Sequence, residues 1–174
     1  MESEIRKWRL SDAADLAAAI NNKKVMDHLR DGLPYPYQEK DAVEYITAML
    51  HMPADSGYAW AIAVQDKAVG SIGIFRKENI HRQTAEMGYY IAQEYWGRGI
   101  ATKAVAAACQ EVFEQTDIMR IFAEPFAYNT SSCRVLEKAG FTLEGVMRKN
   151  AVKNGKVLDM KLYARLREEN TITD

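Results

Sequence analysis

Tyr95-Trp-Gly97-Arg-Gly99-Ile-Ala-Thr102 is the stretch whose reading decides the fold. It lies between a strand-like run, Ala85 to Ala92, and a helix-like run, Thr102 to Glu114. Two glycines one residue apart, just ahead of a helix start, make a loop whose backbone can approach a ligand closely. The unpaired N–H groups of the first helical turn converge there, and the helix dipole adds partial positive charge. That arrangement suits a phosphate or pyrophosphate group.

Working outward, the residues before the loop read as an antiparallel meander. Tyr58 to Gln65 and Ala68 to Arg76 are strands joined by a hairpin at Asp66-Lys67, and Thr84 to Ala92 is the third. Further upstream, Glu4 to Leu10 reads as a first strand with Ile5 and Trp8 as its apolar contacts. Ser11 is an N-cap, and Asp12 and Asp15 favour the helical turn that follows. Asn21-Asn22 closes that helix, a short helical piece spans Lys23 to Leu29, and Pro34 and Pro36 then exclude regular helix. An amphipathic helix runs from Glu39 to His51, with Val43, Ile46, Met49 and Leu50 on its apolar face.

Past the loop helix, where Val105, Ala108, Val112 and Phe113 repeat at helical spacing, Arg120 to Ala123 is a strand ended by Pro125. Ser131 to Ala139 is a short helix with Gly140 as its C-cap signal, and Val146 to Ala164 is a hairpin turning at Asn154-Gly155. No repeat, low-complexity tract or linker interrupts the pattern. Residues 1–174 read as one α/β domain.

Composition narrows the function classes. At 174 residues and 48% apolar content the chain can bury a core of its own. Its 23 basic and 24 acidic residues are well mixed, without the basic face of a nucleic-acid reader. No apolar run approaches transmembrane length and the first residues are acidic, so a soluble, cytoplasmic protein with no membrane partner is expected. Cys109 and Cys133 form no Cys-x-x-Cys pair and read as reduced thiols. His28, His51 and His81 lack metal-ligand spacing, so no metal is expected.

Three kinds of phosphate loop compete. A triphosphate loop requires Gly-Lys-Ser/Thr, and Ile100-Ala101-Thr102 has no lysine in place. A dinucleotide loop wants a third Gly or Ala where this chain has Thr102, at the first turn of a parallel sheet rather than after a meander. The third is a coenzyme A loop. Here the chain resembles the GNAT acyl-CoA N-acyltransferases, and among them the RimJ/RimL-like branch that acetylates ribosomal-protein N-termini. The resemblance covers nearly the whole chain. It rests on Ala85-Glu-Met-Gly-Tyr-Tyr-Ile91, on the glycine loop, on Asn129-Thr-Ser-Ser132, on Val135-Leu-Glu-Lys-Ala-Gly-Phe141 and on Gly155-Lys-Val-Leu-Asp159 with Tyr163. Two positions depart from the wider family: Trp96 stands where Gln or Arg opens the loop, and Leu136 where a tyrosine acid is common.

The resemblance implies a single-domain fold with a mixed, mostly antiparallel sheet of about seven strands. That sheet splays between its fourth and fifth strands and carries helices on both faces. It implies acetyl-CoA as co-substrate, with its pantetheine arm against the free backbone near Tyr90 and Ile91. Ile91 would polarise the thioester carbonyl. The amides of Gly97, Arg98, Gly99, Ile100, Ala101 and Thr102 would hold the pyrophosphate. Asn129 would bind the pantetheine arm, and Ser132 would protonate or stabilise the departing thiolate. Tyr35 and Tyr37 lie in a segment that walls the acceptor groove in that family. A homodimer is left open, since terminal strands of this fold often meet a partner.

The acceptor has to attack as a neutral amine. At pH 7 a lysine amine of pKa about 10.4 costs about 4.6 kcal/mol to deprotonate, against about 1 kcal/mol for an α-amine. A protein α-amine is the expected acceptor; a small amine or a CoA-binding module without turnover are the alternatives. Glu86, on the strand lining the reaction centre, is the candidate base, and Glu124 beside Pro125 is a second candidate, as a base or as the group that attracts a cationic acceptor.

Overall fold

The computed structural model describes residues 1–170. Seven strands form one sheet: β1 (Glu4–Lys7), β2 (Gly57–Val64), β3 (Lys67–Arg76), β4 (Thr84–Ile91), β5 (Arg120–Ala123), β6 (Thr142–Lys153) and β7 (Lys156–Leu166). Their spatial order is β1-β2-β3-β4-β5-β7-β6, and only β4 and β5 run parallel. Five helices accompany them: α1 (Ala13–Ile20), α2 (Lys23–Met26), α3 (Glu39–Leu50), α4 (Ile100–Gln115) and α5 (Thr130–Lys138).

Two cores flank the sheet. On one face α4 and α5 bury Val105, Ala108, Val112, Phe113 and Leu136 against Ile72, Ile74 and Met87. On the other, α1 and α3 bury Leu16, Ile20, Ala42 and Ile46 against Ala61 and Ala68. β2 and β3 are covered on both faces, which explains why Ala61 to Val64 and Ala68 to Ile74 run buried without alternation. The expected seven-stranded, splayed, two-faced architecture is the one observed.

Local readings differ in instructive ways. β1 ends at Lys7 instead of Leu10, because Arg9 starts a 3-10 turn, and Asp12 rather than Ser11 closes it by accepting from the Arg9 amide at 2.9 Å. In α3 the buried positions are Ala42 and Ile46, whereas Val43 and Leu50 are exposed. The β2–β3 turn sits one residue earlier than expected, on Gln65 and Asp66, both at positive φ, with Val64 opposite Lys67. The Asn154-Gly155 turn lies where expected, but the hairpin it joins begins at Thr142 and carries two register shifts.

Candidate active site

The site starts from a failure of pairing. β4 and β5 are in register only over Thr84–Glu86 against Arg120–Phe122, and beyond Glu86 they part. β4 nevertheless continues to Ile91, paired with β3 alone. Thr84 O accepts from Lys77 and the Ala92 amide donates to Val69, so the even-numbered residues of β4 direct their backbone groups to β3. The odd-numbered Met87, Tyr89 and Ile91 direct theirs into the gap. A buried strand edge of this kind calls for a partner that completes the sheet. Tyr90 is therefore corrected: its amide and carbonyl face Ser71 on β3, and the Tyr89 backbone joins the Ile91 N–H as the source of free groups.

The glycine loop follows at the open end of the gap. Gly97 and Gly99 both take positive φ, +73° and +74°, and Gly99 leads directly into the 16-residue α4. Residues 96–99 are exposed. The amides from Gly97 to Thr102 donate to no acceptor among the described residues, while those on either side, Trp96 and Lys103, are bonded. Such amides at the head of a long helix form an anion cradle. Trp96, the departure from the family's Gln or Arg, donates its indole N–H to Ile91 O at 2.8 Å and so ties the loop to the end of β4.

Ser132 and Asn129 enter from α5. Asn129 caps the helix, its side-chain oxygen accepting from the Ser132 amide at 3.3 Å. Ser132 Oγ lies 2.7 Å from the hydroxyl of Tyr89, a residue the sequence reading passed over. Burial pushes the Tyr89 phenol up to about 12, the hydrogen bond with Ser132 only partly offsetting it. Leu136 is buried in the core and offers the cavity only an apolar wall, with no acid at this position.

On the opposite face of β4 the same cavity, of about 980 Å3, is walled by Tyr45, Phe75, Tyr90, Glu86, Glu124 and Arg30. Glu86 is ion-paired twice, with Arg30 and with Lys77 at 3.1 Å. The Arg30 group that meets it also reaches Glu124 at 3.4 Å. Burial raises the Tyr45 phenol, whose hydroxyl lies 3.3 Å from Ser71 Oγ. Tyr35 and Tyr37 do not line this cavity. Tyr37 is packed among α1 and α3 in the second core, and Tyr35 is exposed. The segment they belong to does wall the cavity, through Leu29, Arg30 and Leu33. On α5, Glu137 accepts from the buried Tyr163 hydroxyl at 2.8 Å, and Lys138 lines the cavity.

Arg30, Lys77 and Tyr89 are the residues that sequence reasoning missed. Arg30 and Lys77 stand in loops without a motif; Tyr89 sat inside a quoted one, and the alternation of side chains along β4 was the signal available for it.

Comparison with known proteins agrees with this geometry. A model of the acetyltransferase (GNAT) domain matches residues 4–142. The chain is 34% identical over 135 residues, 76% of its length and 73% of the relative's, to a probable N-acetyltransferase, YjcK, of Bacillus subtilis. It is 31% identical over 120 residues, 68% of its length and 65% of the relative's, to the ribosomal-protein-serine acetyltransferase of Escherichia coli. The solved spermidine N-acetyltransferase of Vibrio cholerae, in complex with CoA and spermine, superposes with a TM-score of 0.80 at 20% identity over 97% of each chain. A splayed β4–β5 pair, a free-amide loop heading α4 and a family match across most of the sequence lead to one conclusion: this chain belongs to the GNAT acetyltransferase family.

Proposed function

We propose that the protein transfers the acetyl group of acetyl-CoA to a protein or peptide N-terminal α-amine by direct attack. The observation that carries this reading is continuity. The free amides of Gly97 to Thr102, the unpaired edge at Tyr89 and Ile91, and the Tyr89–Ser132 pair line one cavity that also reaches Glu86. The residues fit the co-substrate: the loop suits its pyrophosphate and the strand edge suits the amides of its pantetheine arm.

In this scheme the acceptor nitrogen, as the neutral amine, forms a bond to the thioester carbonyl carbon while the carbon–sulfur bond breaks. The Ile91 N–H donates to the carbonyl oxygen as negative charge builds there. The sulfur leaves with the bonding pair and is protonated through the Ser132 hydroxyl, which Tyr89 hydrogen-bonds from behind. That hydroxyl regains a proton from solvent as it passes one on. Glu86 receives the proton lost by the amine, directly or through water, and later releases it to solvent. The products are an N-acetylated acceptor and the free CoA thiol.

An α-amine fits because it gives up its proton at little cost near neutral pH. Sequence similarity to a ribosomal-protein acetyltransferase supports the same acceptor class. A small amine is the second reading, favoured by the approach of Glu86 and Glu124 to one cation at the acceptor end. The test is incubation with acetyl-CoA and a panel of amino-terminal peptides and small amines, scoring thiol release and the mass of the product. Acetylation of peptide α-amines is expected; thiol release with small amines alone would overturn the peptide reading, and silence across the panel would overturn the enzymatic one.

A further inference from the structure

We infer that Arg30 selects the acceptor class, its guanidinium holding the cation position between Glu86 and Glu124 and thereby excluding polycationic amines. The inference rests on the acetyltransferase reading above and sharpens it from "an amine" to an amine carrying a single positive charge. Arg30 Nη2 meets Glu86 Oε1 and lies 3.4 Å from Glu124 Oε2, so one nitrogen is shared by two carboxylates, one on β4 and one just beyond β5. The other oxygen of Glu86 is taken by Lys77 Nζ at 3.1 Å. Two carboxylates are thus matched by two cations. Without Arg30 the same place would carry two negative charges against one positive, which is a receptor for the distal ammonium of a diamine.

The placement of Arg30 also fits a selector better than a brace. Its side chain is 64% exposed, while the carboxylates beneath it are 19% and 25% exposed, so it lies over them from the solvent side. The segment carrying it is tethered independently. Asp31 pairs with Lys153 at 2.8 Å, Asp27 accepts from Asn154 at 3.0 Å, and His28 meets the Tyr128 hydroxyl at 3.0 Å. These contacts hold the loop where the guanidinium competes with any cation entering from outside, and they persist when Arg30 is changed. A peptide α-amine has no second ammonium that must displace it.

The experiment is calorimetric titration of spermine, and separately of a short neutral peptide with a free α-amine. Both are run at low ionic strength, where exposed charges are least screened. Wild type, R30Q, R30K and the double variant R30Q/E124Q are compared with and without CoA. Expected is a gain of roughly fivefold in spermine affinity for R30Q, the scale of one partly exposed ion pair. R30K should stay near wild type, R30Q/E124Q should lose the gain, and the peptide should be unaffected. Equal spermine affinity in wild type and R30Q, no spermine binding to R30Q, or an equal gain for the peptide overturns the selector role. CoA titrated into the same samples separates the two readings: failure of CoA to bind would sink the acetyltransferase assignment, while the ligand-free spermine series would still judge Arg30.

Discussion

Ser132 and Tyr89 share a 2.7 Å hydrogen bond, yet they stand 43 residues apart and on different elements. With the phenol raised to about 12 by burial, Tyr89 stays protonated throughout the pH range of an assay, and its hydroxyl holds that of Ser132 through a hydrogen bond in which either oxygen can donate. Removing the serine hydroxyl should cost more than removing its support. Ser132→Ala is expected to lower kcat about 100-fold, at the lower end of what positioned proton transfer contributes. Tyr89→Phe should lower it about tenfold, the worth of roughly one hydrogen bond, with the KM for acetyl-CoA little changed. Because the phenol titrates far above neutrality, the rate should show no alkaline loss from Tyr89 between about pH 8 and 10. Steady-state thiol release across that range checks all three. A matched fall in both kcat and acetyl-CoA affinity for Tyr89→Phe would instead assign it to binding.

The loop before α4 takes left-handed conformations at Gly97 and Gly99, and its amides are left without protein acceptors among the described residues, as the proposed phosphate site requires. A β-carbon built on Gly99 meets no atom within 4 Å, so the β-carbon itself would clash with no protein group. It would carry the strain of a positive φ, roughly 1–2 kcal/mol for an ordinary residue, and would project where the phosphates are proposed to sit. Gly99→Val should therefore fold, melt slightly earlier and lose at least about tenfold in CoA affinity. Calorimetric unfolding together with CoA titration separates the two effects. Undiminished CoA affinity would mean that the loop holds something else or nothing.

Across the whole molecule, the buried Asp12 joins three pieces of chain. Its carboxylate accepts from both terminal nitrogens of Arg6 on β1, each at 2.9 Å, and from the Arg9 amide, while Arg6 also reaches the Asp66 carbonyl in the β2–β3 turn at 2.8 Å. Burial drives the Asp12 pKa upward, but the hydrogen bonds and charges of Arg6 and Arg9 more than reverse it, leaving it below the ordinary carboxylate value. A carboxylate lowered in the folded state contributes stability that is present above the unfolded pKa, near 3.9, and lost as pH falls through the folded pKa. Wild type should accordingly lose stability below about pH 4, and Asp12→Asn should flatten that part of the profile. Asp12→Ala, which strands a half-paired Arg6, should cost about 3 kcal/mol near neutral pH. Urea unfolding as a function of pH measures both.

Much of this arrangement was legible in the order of residues. The glycine pair, the strand before it and the helix after it are local signals, and hydrophobic spacing together with cap, proline and turn residues placed five helices and seven strands within a few residues. Boundaries slipped where a side chain made the decision, as when Asp12 closed a 3-10 turn beginning at Leu10, the residue at which the strand was expected to end. Strand parity was equally beyond a linear reading: register with β3 turns the Tyr90 backbone away from the gap and the Tyr89 backbone toward it. Tyr37 read as a groove residue and lies in the core, because its neighbours on α1 and α3 come from either side of it in the chain. Contiguous residues were enough to point to the family and to the glycine loop with its free amides, because a loop's backbone chemistry is local, and the splay of the sheet followed from the resemblance those residues carry. Only the tertiary structure decided which charges and hydroxyls meet. Arg30 with Glu86 and Glu124, and Tyr89 with Ser132, are joined across separations of 56, 94 and 43 residues, where no periodicity reaches and packing alone sets the distance.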